Sequence, residues 1–522
     1  MTRHDMFWIL LVSLVIIGPG IFAPRDFWVE DEARYADVLS NMIHGNHWLV
    51  PHLNGQFYPD KPPLYFWLTA AVCLLIGKIT PAAGLFITWL STLGCALMTY
   101  RIATRMIDRQ TGRLAAIVFL ATLLVIICGQ IVRMDMLMTL FVMLAIDAYM
   151  MYNSTERSAL IWLFYLCTAL AVFSKGPLGM AFPLLTVIVT TIVAKQWGRL
   201  RRVLLHPGWL VIAGIVGGWL ALSWYYGYAD YVRDILFKQV AGRAVKAFSH
   251  REPIYFYLML LPLVLLPWTP FFPRAIKHYR DETYDPERVL MWWFLSGLGI
   301  LSVISGKLFI YLLPVLPPLA IIIAARMQTL AEPTQLFRLE VILSSLLTLG
   351  PLALFILFKQ HLPIVATIDP VLLTIVAGSM IVVQIIVGLY SKIRQQMMIL
   401  IAGIALLSIF MSQYVLRELN PYFSGNIVGN TIHSYSENGY FIGTYQVRRG
   451  IFTFQSGTNF RELGYDELQA YAQQPNRLLL TKALVWEREE QRIGQSFILI
   501  GEFNVANEHY LLFRTTAKVF IS

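Results

Sequence analysis

Apolar runs of about 20 residues, each long enough to carry a helix across a bilayer, recur along most of this chain. They fall at about 5–24, 82–101, 113–131, 135–152, 158–173, 177–195, 208–227, 254–274, 288–304, 307–325, 337–358, 368–391 and 396–415. Hydrocarbon offers a backbone no hydrogen-bond partner, so runs of this length must be helices. The chain is 57% hydrophobic and 14% charged, whereas soluble domains are about a quarter charged. The sequence therefore reads as a polytopic α-helical membrane protein with about thirteen spans.

The formal charge of +10 does not indicate nucleic acid. Its basic residues are scattered through short connections between spans, as the positive-inside rule requires, rather than gathered in a stripe. Cys73, Cys95, Cys128 and Cys167 lie in or beside apolar runs without metal-ligand spacing and read as small packing residues. The first apolar run has no small-residue cleavage site and reads as an uncleaved signal anchor.

One further run, 62–80, opens with two prolines. If it crossed the membrane, the basic loop at 101–113 would face outward. If it lies along the surface, that loop and those at 195–202, 274–288, 326–338 and 391–396 all face the cytoplasm. The expectation is therefore a juxtamembrane helix at 62–80, a transmembrane unit at 1–415 and an outward-facing tail at 416–522. In the tail, 477–486, 496–505 and 509–517 read as strands and 460–474 as an amphipathic helix, which makes a small α/β domain. Its bland reading is a cap or docking surface.

This orientation gathers Asp31, Lys61, Arg133, Asp135, Lys175, Arg251 and Lys307 in the outer turns. Positive charge there runs against the orientation rule and points to an anionic ligand, although a single lysine can simply snorkel from a helix end. The first outer connection is the densest. Between Glu30 and Lys61 it holds five carboxylates, three histidines, an arginine and a lysine. Asp31 follows the first span and can share a helix face with Arg34 and Tyr35, with Glu32 beside them. It can act as a general base or merely cap the helix. Asp60-Lys61-Pro62-Pro63 sets an acid and an ammonium before a proline-led helix start, a place that favours anions. Arg251, Lys175 and Lys307 can complete a phosphate clamp around Lys61. His44, His47 and His52 sit among Trp and Pro and read as packing residues.

WVEDEARYADVLSNMIHGNHWLVPHLNGQFYPDKPPLYFW (28–67) is similar to the first outer loop of the GT-C membrane glycosyltransferases, above all the lipid A aminoarabinose transferases and, further off, the protein O-mannosyltransferases. The resemblance extends to VRMDMLM (132–138), FSKGPLG (173–179), FSHREPIYFYL (248–258) and SGKLFIYLLPVLPPLA (305–320), about the first 320 residues. It implies a GT-C fold and a polyprenyl-phosphate sugar donor whose phosphate is held by Lys61 and its basic partners. Asp31 would act at the acceptor or at the breaking glycosidic bond. It also implies functional roles for Asp135 and Lys175, a donor-phosphate contact from Tyr311, and a structural zinc on Asp60 and His250. Asp60 departs from the family's usual glutamate, and two ligands are fewer than the four of a closed zinc site.

The reading is an inverting transferase at the periplasmic face of a bacterial inner membrane. Its sugar would be aminoarabinose-like, a hexose or a uronic acid, and its acceptor lipid A or lipopolysaccharide. A protein O-glycosyltransferase is the alternative of the same class. A lipid-phosphate flippase is the rival from another class, but it would place ionisable groups along a crossing path, whereas here they cluster at one face.

Overall fold

A computed structural model describes residues 2–237, 252–273, 285–304, 306–329 and 393–516, with isolated positions 371, 378 and 382. Among them, six helices are long and apolar enough to cross a membrane: Pro81–Met106, Asp135–Thr155, Ser158–Lys175, Trp197–Tyr225, Phe309–Gln328 and Ile401–Phe423. Arg109–Leu120 and Leu123–Gly129, bent by 61° at the break between them, make a seventh if taken as one span. The runs expected at 337–358 and 368–391 lie outside the described residues, apart from positions 371, 378 and 382. The first run is a helix over Arg3–Ile16 that gives way to a 3-10 turn at Gly18–Phe22, where Pro19 has no amide hydrogen to continue the ladder.

The spans pack through small side chains. Ala103, Ala115 and Ala116 are fully buried beside Phe119 and Ile323, and close approach of this kind is what drives helix association in lipid. Gly112 shows how close it is: a Cβ there would stand 2.1 Å from the Thr104 hydroxyl.

Residues 62–80 form a helix over Leu64–Ile76 of 13 residues, about 20 Å long against a hydrocarbon layer of about 30 Å. It buries Tyr65, Phe66, Ala70 and Cys73 and leaves Leu74, Leu75 and Ile76 exposed, before Gly77 ends it in the left-handed conformation at φ 78°. Against it packs the helix Asp31–Ile43, in which Arg34, Tyr35, Asp37 and Leu39 are all buried.

Seven strands occur among the described residues. β1 (His52–Leu53) and β2 (Gln56–Phe57) form a hairpin whose turn is Asn54-Gly55, both at positive φ (56° and 68°). Asn-Gly is the dipeptide that tolerates this turn best. The other five are β3 (Phe441–Tyr445), β4 (Arg461–Glu462), β5 (Arg477–Lys482), β6 (Phe497–Val505) and β7 (Glu508–Thr515). They form one sheet in the order β4-β3-β5-β7-β6, parallel across β3/β4 and β3/β5 and antiparallel elsewhere. The sequence reading anticipated β5, β6 and β7 but not β3 or β4. It also ran β5 on through 483–486, which instead begin the helix Ala483–Ile493. Within the stretch read as a helix at 460–474, only Glu467–Ala472 is helical.

The tail docks on the first connection. Asn54 donates from its side-chain amide to the Phe460 carbonyl (2.8 Å) and accepts from the Phe460 amide (2.6 Å). The Val29 amide donates to the Phe423 carbonyl at 3.0 Å, and the Trp28 ring stacks on Phe423 with centroids 4.7 Å apart. These contacts fix the start of the Asp31 helix from the tail side.

Candidate active site

Asp31 is the first residue of its helix, and its two carboxylate oxygens go to arginines rather than to a backbone cap. Oδ2 accepts from Arg133 Nη1 at 2.7 Å. Oδ1 faces Arg34 Nη1 at 3.7 Å and Arg448 Nη2 at 3.6 Å. Arg133 continues to a second carboxylate through Nε, 3.3 Å from Asp135 Oδ2, and the other oxygen of Asp135 is paired with Lys175. The Lys175 ammonium in turn lies 4.2 Å from the centre of the Tyr311 ring, a cation–π distance. Four segments far apart in sequence thus form one chain of alternating charge: Arg34, Asp31, Arg133, Asp135, Lys175, Tyr311.

The two acids are not equivalent. The Asp31 side chain is 27% exposed and that of Asp135 only 3%. A buried carboxylate is tolerable when paired and hydrogen-bonded, and Asp135 has both partners it needs. Asp31 alone offers an open oxygen to an incoming molecule. Burial works against the charge on Arg133, but Tyr35, Asp135 and Asp31 outweigh it and hold its pKa above the ordinary arginine value. Arg133 is the hinge of the network, a role that the sequence reading, which placed it only among outer charges, did not give it.

The supporting residues sort by what they touch. Glu32 binds Arg25 in a fork at 2.5 and 3.0 Å and accepts from the Val132 amide at 2.8 Å, so it ties the 130–135 turn, and with it Arg133, to the Asp31 helix. Tyr35 is buried against Tyr65 and Phe66 and offers the site packing. Arg34 reaches Asp60 at 3.4 Å and stacks over Tyr58 at 5.1 Å, which joins the 58–61 segment to the network. Lys61 exerts its charge on Asp135. Lys307 is buried and donates to the Ile304 carbonyl at 2.5 Å; no described contact joins it to Asp31 or Asp135. Arg251 and His250 lie outside the described residues.

Three histidines lie nearby. His47 and His52 stack at 3.7 Å between ring centres, and His52 Nδ1 is 2.8 Å from the Val50 carbonyl, whereas His44 sits within 3.3 Å of the Ser40 hydroxyl. All three behave as packing or surface groups. For a metal, Asp60 is engaged by Arg34, and among the described residues no group of three or more His, Cys, Asp and Glu is placed to hold an ion. Of the expected zinc pair, Asp60 lies within the described residues and His250 outside them.

Residues 60–224 match the dolichyl-phosphate-mannose-protein mannosyltransferase family, the stretch that carries Asp60, Lys61, Arg133, Asp135 and Lys175. Over 327 residues the chain is 30% identical to an undecaprenyl phosphate-α-4-amino-4-deoxy-L-arabinose arabinosyl transferase of Shewanella sediminis, covering 60% of this chain and 58% of that one. A protein of the same name from Pectobacterium atrosepticum is 30% identical over 332 residues, 62% of this chain and 59% of that one. The chain thus spans under two thirds of the length of these relatives. The crystal structure of ArnT from Cupriavidus metallidurans bound to undecaprenyl phosphate superposes with a TM-score of 0.78 over 98% of both chains, at 17% identity.

The chain has the fold of that ArnT, the GT-C fold. At 17% identity the superposition speaks for the GT-C fold alone. Within that fold the acidic helix start after the first span and the acid-led span at Asp135 stand together, as their contacts with Arg133 require. The feature of the site that sequence did not suggest is Arg448, from the tail, at the first of these acids.

Proposed function

We propose that the protein transfers a sugar, aminoarabinose-like in the first instance, from a polyprenyl-phosphate carrier to lipid A or another lipopolysaccharide group at the periplasmic face of a bacterial inner membrane. The single observation that carries this reading is the network from Asp31 through Arg133 and Asp135 to Lys175 and Tyr311. It places an open carboxylate at one end and a lysine–tyrosine pair suited to a phosphate oxygen at the other. The names of the relatives support the donor class.

In this mechanism the acceptor oxygen attacks the anomeric carbon as the bond from that carbon to the carrier phosphate breaks. The bonding pair leaves with the polyprenyl phosphate, and Asp31 takes the acceptor proton. One direct displacement with no covalent glycosyl-enzyme inverts the anomeric centre. Lys61, Lys175, Tyr311 and, from outside the described residues, Arg251 would hold the leaving phosphate; cations preplaced where charge develops are among the largest catalytic terms. Lys307 would act in the same cradle only if a bound phosphate drew it from the Ile304 carbonyl. Asp135 positions Arg133 and Lys175. Asp60 and His250 would hold a structural zinc, for which metal analysis of the purified protein is the test. A unit of about thirteen spans at 1–415 and a periplasmic tail at 416–522 complete the proposed arrangement.

Mass spectrometry of lipid A from cells carrying the wild-type protein or Asp31→Asn tests the reading. The expected result is a sugar-sized increment present with the first and absent with the second. An unchanged lipid A with the wild-type protein, or an increment that survives Asp31→Asn, would overturn the acceptor or the role of Asp31 respectively.

A further inference from the structure

The tail touches the reacting end of the network at one side chain. Arg448 lies just beyond β3, and its guanidinium forms an ion pair with Glu30 and stands 3.6 Å from Asp31 Oδ1. The segment that presents it is held on both sides. Arg449 is paired with Glu462 of β4, and Gly450, at φ 78°, is pressed so closely on Leu53 that a Cβ would meet its side chain at 2.3 Å. On the other side, the backbone leading to Glu30 is tied to the tail by the Val29–Phe423 hydrogen bond at 3.0 Å. Arg448 is therefore delivered to Asp31 by two anchored strands of chain.

The two oxygens of Asp31 are treated differently. Oδ2 is hydrogen-bonded to Arg133 at 2.7 Å, which leaves the carboxylate free to rotate about that one contact. Oδ1 has no donor within hydrogen-bond distance among the described residues, only Arg34 at 3.7 Å and Arg448 at 3.6 Å. Two cations flanking Oδ1 at that range oppose its rotation without occupying it. Oδ1 is thus the oxygen available to an acceptor proton, and removing either cation frees the group to turn.

We propose that Arg448 is a positioning residue for Asp31, so that the C-terminal domain completes the active site rather than merely capping it. The proposal rests on the reading that Asp31 acts at the acceptor. It assigns the tail a role in turnover, where the sequence suggested only a cap or docking surface. Misplacing a catalytic group by about 1 Å can cost on the order of 10²-fold in rate.

The test uses the full-length protein in detergent, with undecaprenyl phosphate-α-4-amino-4-deoxy-L-arabinose as donor and lipid A as acceptor. Four forms are compared with the wild type: Arg448→Ala, Arg448→Lys, the exchange Glu30→Arg with Arg448→Glu, and Asp31→Asn. The expected outcome for Arg448→Ala is a kcat lower by on the order of 10²-fold, with the donor KM within about twofold and the thermal midpoint unchanged. Arg448→Lys should recover most of the loss. The exchanged pair should stay slow, because it restores the ion pair between the domains but sets a carboxylate against Asp31. Wild-type kcat in Arg448→Ala would overturn the proposal. So would full activity in the exchanged pair, or a loss of kcat that simply follows a falling midpoint; either would make Arg448 a docking contact. Undiminished turnover by Asp31→Asn would remove the role of Asp31 and this inference with it, whereas a dead Asp31→Asn beside a normal Arg448→Ala would overturn the positioning role alone.

Discussion

Asp37, in the same helix as Asp31, accepts from the Asn54 amide where the first connection meets the docked tail. Its carboxylate is buried, at 4% exposure, and burial pushes its pKa up from 3.8 to about 6 against the opposing hydrogen bond from the Asn54 amide, at 2.6 Å. An acid whose pKa is raised on folding binds its proton more tightly in the native state. The stability it contributes is fully present below about 3.8 and is lost as pH rises through about 6. The gap between those values, at 1.36 kcal/mol per pH step, is about 3 kcal/mol. Asp37→Asn keeps the acceptor for the Asn54 amide and removes the charge. It should therefore match the wild type near pH 4 and exceed it by up to about 3 kcal/mol at pH 8. The assay is tryptophan-monitored unfolding in detergent from pH 4 to 8, read as the difference between the two proteins so that other titrating groups cancel. Parallel curves, or a wild type that gains on the variant as pH rises, would refute the reasoning.

The Lys175–Asp135 pair is buried on both sides, at 6% and 3% side-chain exposure. Lys175→Met should cost about 3 kcal/mol, near the lower end for a broken buried pair because Arg133 still serves Asp135, and should abolish transfer. Adding Asp135→Leu should restore the thermal midpoint but not turnover, and recovery of activity there would show that the pair is only structural. At Gly112, a Cβ would meet the Thr104 hydroxyl at 2.1 Å and the Tyr100 carbonyl at 2.9 Å, so Gly112→Ala should lower stability by about 1–3 kcal/mol. Gly218→Ala, with nothing within 4 Å of its Cβ, should raise it by about 0.5–1 kcal/mol through helix propensity; equal midpoints for the two would refute the packing described for the span interface.

Much of the site was legible because membrane chains confine charge to few places. Asp31, Lys61, Asp135 and Lys175 stand out in turns that the orientation rule would leave free of lysine, and the Lys175–Tyr311 contact joins two motifs quoted from sequence. Pairing was not legible. Nothing local says that Arg133 bridges two acids, since one of them is 102 positions away, and nothing in FIGTY marks β3 as a central strand. Its Gly443 is required by packing alone, because a Cβ there would lie 2.6 Å from Leu463 and 2.8 Å from Tyr471. The hairpin at Asn54-Gly55 is different, because that dipeptide is a recognised turn signal and could have been read. Lys307 shows the converse. It carries the motif, yet its ammonium closes the end of the preceding helix at Ile304, the ordinary fate of a lysine at a helix carboxyl end.

The alternation of charge explains why so many ionisable groups can sit at the edge of a bilayer without unfolding it. The two buried acids beside Asp31 are satisfied differently: Glu32 has Arg25 and two backbone amides, and Asp135 has Arg133 and Lys175. Isolated, either would cost several kcal/mol to desolvate. Linked, they form a frame around Asp31, whose side chain stays 27% exposed. A network built only for stability would have no need to leave that oxygen exposed and flanked by arginines from the first connection and from the tail, because hydrogen-bonding it fully would be the stabler arrangement. In the proposed reaction Oδ1 is the oxygen that faces the acceptor proton, while Oδ2 is held by Arg133.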